Sequence, residues 1–135
     1  MDVTQRIKQG AYIEADIKQP RNPLFHRKFF AMLNFAFDYF EPEGGEWQGI
    51  KAEKNFERFR KDVLILAGYR AVTYNIKGEV RVEAESVSFS SMDETRFSEV
   101  YKACFDVCWK MVLSKINGLT REHAESVINE MLGFD

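Results

Sequence analysis

Leu24-Phe25-His26-Arg27-Lys28-Phe29-Phe30-Ala31-Met32-Leu33-Asn34-Phe35-Ala36-Phe37-Asp38-Tyr39-Phe40 is the stretch whose reading decides the fold. Its apolar residues recur at helical spacing. Phe25, Phe29, Met32, Ala36 and Phe40 form one line, and Phe30, Leu33 and Phe37 widen it. The spacing predicts a helix over 24–40. Its apolar surface is too broad for one neighbour to cover, so at least two further elements must pack on it. Pro20 and Pro23 stop regular structure just upstream, and Glu41-Pro42-Glu43-Gly44-Gly45 stops it downstream.

Working outward, 11–17 alternates as a strand with Ile13, Ala15 and Ile17 on one side. A second helix is expected over 52–67. Phe56, Phe59, Val63 and Leu66 face inward, Lys54, Arg58 and Lys61 face outward, and Gly68 ends it. Strands over 70–76 and 80–84 form a hairpin across Lys77-Gly78-Glu79. Val87 and Phe89 either extend that sheet or pack beneath the next helix. Ser91 and Glu94 have the spacing of a capping box. The helix after it carries Phe97, Tyr101, Cys104, Cys108 and Met111 on one stripe, and Asn117-Gly118 ends it. Thr120 caps a final short helix with Ala124, Val127, Ile128 and Met131. The expectation is one α+β domain over 1–135, a small antiparallel sheet packed with about four helices.

Composition narrows the function classes. The 135 residues are 45% hydrophobic and 30% charged, with 12 phenylalanines, which favours a packed soluble domain over disorder. No apolar run approaches the roughly 20 residues of a membrane span. The start, Met1-Asp2-Val3-Thr4-Gln5-Arg6, has no hydrophobic signal core. The only cysteines, Cys104 and Cys108, fall in a helical pattern, so a reduced, cytoplasmic protein is expected. A net charge of −2 argues against a protein that coats DNA indiscriminately, but leaves room for a local basic face.

Two basic concentrations stand out. Lys18, Arg21, His26, Arg27 and Lys28 surround a proline-stiffened helix entry, where side-chain charge, unpaired N–H groups and the helix dipole all favour an anion. A solvated helix entry is the competing reading, with proton shuttling by His26 a third. Lys51, Lys54, Arg58, Arg60 and Lys61 form the second cluster, readable as a phosphate track or as an ordinary charged outer face. Trp47, Tyr69 and Tyr74 are candidates for base stacking or for packing, Trp47 foremost because it lies in a polar connection. Cys104 and Cys108, one turn apart, read as buried thiols. With His26 and His123 they also supply enough atoms for zinc, but nothing in their spacing selects it. Asp16, Asp38, Glu41, Glu43 and Glu46 are the carboxylates a two-metal nuclease would need, without a diagnostic spacing.

The run from Arg21 to Phe40 resembles a bacteriophage and prophage family of unknown function, and Ser86-Val87-Ser88-Phe89-Ser90-Ser91-Met92-Asp93-Glu94-Thr95-Arg96-Phe97 is similar to it too. The order of basic turn, aromatic helix, tryptophan-containing connection and lysine-bearing helix also resembles NinB, a recombination-accessory family that binds single-stranded DNA. Arg21, Asn22, Arg27, Lys28, Trp47 and Lys61 are the counterparts by pattern. The resemblance implies an accessory protein of phage recombination or replication that binds single-stranded nucleic acid. Taken with the two basic clusters, it makes Arg21, His26, Arg27, Lys28, Trp47, Lys54, Arg58 and Lys61 the expected contacts. The alternative is a non-enzymatic phage protein that binds and modulates a host or phage protein. A homodimer fits either reading. The residues call for neither cofactor nor metal nor membrane.

Overall fold

The computed structural model describes residues 23–133. The expected strand over 11–17 and the residues Pro20, Arg21 and Asn22 lie outside them. The aromatic stretch forms α1 (Pro23–Asp38), which buries Phe25, Phe29, Met32, Leu33 and Ala36. Pro23 takes the first helical position, where its missing N–H costs nothing and its fixed φ already suits a helix. The helix stops two residues short of Phe40. There the N–H groups of Tyr39 and Phe40 tighten onto Ala36 and Phe37 at 3.2 and 3.1 Å.

The connection after α1 holds a hairpin that the sequence reading did not include, β1 (Glu46–Trp47) and β2 (Ile50–Lys51). Trp47 pairs with Ile50 across Gln48 and Gly49, whose φ values are +49° and +84°. Two left-handed residues in a row match the twist of the flanking strands. Next comes α2 (Phe56–Leu66), which starts four residues later than expected. Ala52, Glu53 and Lys54 are tolerable helix residues, but the Asn55 side chain accepts from the Arg58 N–H at 2.9 Å and sets the boundary. Gly68, at φ +104°, closes α2 as expected. Its N–H reaches the Ile65 carbonyl, and that of Tyr69 reaches Leu64. Leu66, expected inward, is exposed.

β3 (Arg70–Tyr74) and β4 (Val80–Ala84) pair antiparallel, Val72 opposite Val82. β3 ends two residues early because the Asn75 carboxamide oxygen accepts from the N–H groups of Lys77 and Glu79 and turns the chain. A 3-10 turn (Phe89–Ser91) then carries Phe89 into the core rather than into the sheet. α3 (Glu94–Met111) is capped by Asp93, whose carboxylate accepts from the Arg96 N–H at 2.8 Å, and not by Ser91. Phe89 and Met92 are both buried, so the chain must cross the core before the helix begins, and Ser91 donates back to the Ser88 carbonyl. Met111 lies at the end of α3 and is 54% exposed, because the chain turns at Val112 and Leu113 takes the buried place. α4 (Arg121–Gly133) starts as expected, with Thr120 Oγ1 accepting from the His123 N–H at 3.0 Å. Ala124 and Ile128 are its buried residues, and Met131 is exposed.

The class is α+β, as expected, with two separate two-stranded sheets. Helices make the core. α1 packs against α2, α3 and α4, and β4 touches α2. Rings tie the helices together: Phe25 stacks on Phe97 at 4.3 Å, and Phe29 and Phe97 both meet Phe89. No helix among the described residues is long and apolar enough to cross a membrane.

Candidate nucleic-acid interface

The first basic cluster sits on the opening turns of α1. His26 and Arg27 are exposed. The His26 ring lies 4.6 Å from Phe30 and edge-on to Phe89, an aromatic contact that orients it. Lys28 is half-buried, its ammonium 4.7 Å from the centre of the Tyr101 ring. It opens into a cleft of ≈ 580 Å³ that Lys102 and Arg121 share with Asp106, Glu122 and Glu125. The Tyr101 hydroxyl donates to Glu125 at 3.1 Å. Burial first, then the Glu125 charge, pushes that phenol above its ordinary range. Arg121 is ion-paired with Asp106 and lies over Phe105 and Trp109. Three cations thus face three carboxylates, so the cleft has no strong field of one sign.

The second cluster lies at the other end of α1. Lys54 donates to the carbonyls of Phe37 and Phe40 at 2.9 and 3.0 Å, with its ammonium 4.5 Å from the Phe37 ring centre. A cation there answers the negative end of the helix dipole and the carbonyls of the last turn, which lack an i+4 partner. Lys54 therefore joins α1 to the entry of α2. Arg58 and Lys61 are exposed on α2, and Arg58 shares a depression with Glu41, Glu43 and Asp62. Arg60 is bound to Glu57 through both carboxylate oxygens, which holds that carboxyl below its usual range. Lys28 and the Phe37 carbonyl that Lys54 grips stand nine residues apart on α1, about 13 Å of helix axis. The two clusters occupy two ends of one helix and not a single patch.

The aromatic candidates separate clearly. Trp47 is 69% exposed on the β1–β2 hairpin. Tyr69 is half-buried under the Arg96 guanidinium. Tyr74 is exposed on the β3–β4 hairpin. The sequence reading passed over Lys102 and Arg121. Both lie in an acidic part of the chain, and only the helix packing brings them beside Lys28.

Cys104 and Cys108 are buried, and burial pushes both thiols up to about 12. Among the described residues no three His, Cys, Asp or Glu side chains are grouped to hold a metal ion. Asp16, one of the nuclease carboxylates, lies outside them.

The molecule is an aromatic-cored α+β domain with divided basic ends and a displayed tryptophan. Its sequence matches the family described as "Protein of unknown function (DUF1367)" over residues 1–48 and 46–134, and the chain belongs to that family. No curated protein and no solved structure matches it.

Proposed function

We propose that this chain is a single-stranded nucleic-acid-binding accessory protein of phage or prophage recombination or replication. The observation that carries this reading is Trp47. Trp47 and its cross-strand partner Ile50 are both exposed on the β1–β2 hairpin, so the indole offers a π-face on which a base can stack. The strand after it leads into α2, where Arg58 and Lys61 are exposed to meet phosphates. His26, Arg27 and Lys28 extend the contact to the far end of α1, and Arg21 precedes them in sequence. The likeness to phage proteins and to the NinB pattern supplies the biological setting.

Titrating a labelled oligothymidine with the protein at several salt concentrations tests the reading. Affinity should fall steeply with salt. Trp47→Ala should weaken it about fivefold at constant salt, the low end of one lost base stack. Folded protein that fails to bind at low salt overturns the proposal.

A second reading, a non-enzymatic modulator of a phage or host protein, is favoured by a different feature. An apolar cavity of ≈ 230 Å³ between α2 and α3 is walled by Phe59, Val63 and Cys108, with Leu66 and Met111 exposed at its lip. That is room for one anchoring side chain. Loss of oligonucleotide binding would leave this reading in possession.

A further inference from the structure

The β3–β4 hairpin is amphipathic, and its apolar side is turned to water. The register places Val72 opposite Val82 and Tyr74 opposite Val80, so these four side chains share one face. All four are exposed, Tyr74 by 77%, and Ile76 at the loop is fully exposed. Ala71, Thr73, Arg81 and Glu83 occupy the other face. Polar residues therefore sit where solvent is expected, and β-branched and aromatic ones sit where a packed layer is expected. A two-stranded hairpin alone is marginally stable in water and needs packing on one face. At its base this face meets the body of the protein, through Ala84 against the core and Arg70 on the end of α2, but Val72, Tyr74, Val80 and Val82 beyond it stay exposed among the described residues.

We propose that this face packs against the same face of a second copy of the chain, forming a two-fold dimer with two hairpins stacked face to face. Two arguments select a copy over another partner. Beyond its base the face carries no charged side chain. Its one charge, Arg70 at the base, is turned back onto the Ile65 carbonyl at 2.9 Å. The face can therefore meet itself without like charges in opposition, and it offers no charge by which a different partner would be chosen. The area also suffices. The exposed side chains leave on the order of 500 Å² of apolar surface in water, the size at which a patch on a monomer marks a contact site. Pairing two copies removes about 1,000 Å² in total, the lower bound for a specific interface. An interface of that size gives a concentration-dependent equilibrium between monomer and dimer.

Sedimentation of the full chain over a range of concentrations reads the outcome. The mass should rise from 15.8 kDa towards twice that value. Tyr74→Glu and Val82→Lys should each hold the protein at the monomer mass, while Thr73→Lys, on the opposite face, should leave the dimer intact. Circular dichroism confirms that each variant is folded. Val82→Cys gives an independent reading. Both native cysteines are buried, so mild oxidation should link two copies through the new thiol alone. A monomer at every concentration, with no cross-link, overturns the proposal. So does a dimer that survives both face variants. A monomer in which the Val82→Cys thiol resists a thiol reagent assigns the face to another segment of the same chain, and one that loads a different protein there assigns it to that protein. Either result also overturns the second copy.

Discussion

Lys54 and Arg58 look alike in the sequence, one turn apart on a basic stretch, yet they do different work. Lys54 spends its ammonium on two carbonyls at the end of α1, while the Arg58 guanidinium is exposed. Lys54→Ala should lower stability by about 1 kcal/mol, since an exposed charged hydrogen bond is partly replaced by water. Arg58→Ala should leave the thermal melt unchanged, weaken oligonucleotide binding across sequences, and reduce the salt slope by about one. Melts and salt titrations on the two variants separate capping from phosphate contact. Equal effects on both measurements would abolish the distinction. The sequence spacing puts both residues on the outward face of one helix, which holds for Arg58 but not for Lys54, which lies before the Asn55 cap. The carbonyls that claim Lys54 come from a helix more than a dozen residues away, and no local pattern reveals them.

At the level of elements, boundaries were less legible than the elements themselves. The stripe on α1 stood out because phenylalanines at three-four spacing admit one periodicity. Gly68 was legible because a left-handed cap wants a residue without a side chain. The start of α3 was misread because Ser91 and Glu94 imitate a capping box while Asp93 does the capping. Asp93→Ala should therefore cost about 1 kcal/mol in denaturant unfolding. Ser91→Ala should stay within about 0.5 kcal/mol. The reverse order would restore the serine cap. The β1–β2 hairpin was missed because Gln48-Gly49 is a weaker turn signal than Asn-Gly, although the same left-handed pair results. Of the candidate site, residue types and their grouping were legible. That the groups lie at opposite ends of α1, and that Lys28 faces carboxylates from α3 and α4, required the packing.

For the molecule as a whole, α3 carries a buried set of groups that ionise only at high pH. Burial raises Cys104 and Cys108 from 9.0 to about 12 and raises Tyr101 in the same direction. A raised folded value means that the neutral form is favoured in the folded state. The associated stability is complete below the unfolded thiol value and is lost as pH rises from about 9 towards 12. Melting temperatures should be level through neutral pH and decline above about 9. In the native protein both thiols should ignore a thiol reagent that labels the unfolded chain at once. A melting temperature that holds steady well above pH 9, or rapid native labelling, would show that water reaches this stripe.

The docking of α1 on α3 and α4 has a consequence for how the chain is made. A ribosome releases the protein from its N-terminus, so the phenylalanines of α1 emerge well before the helices that cover them. At about 5–20 residues per second, several seconds separate the end of α1 from the end of α4. α2 arrives in between, but it packs on only part of the α1 surface. During that interval the nascent polypeptide presents an aromatic surface that no later contact yet hides, which is the kind of segment that chaperones hold. The aromatic face that makes the finished core compact is thus open to wrong contacts while the chain is being made.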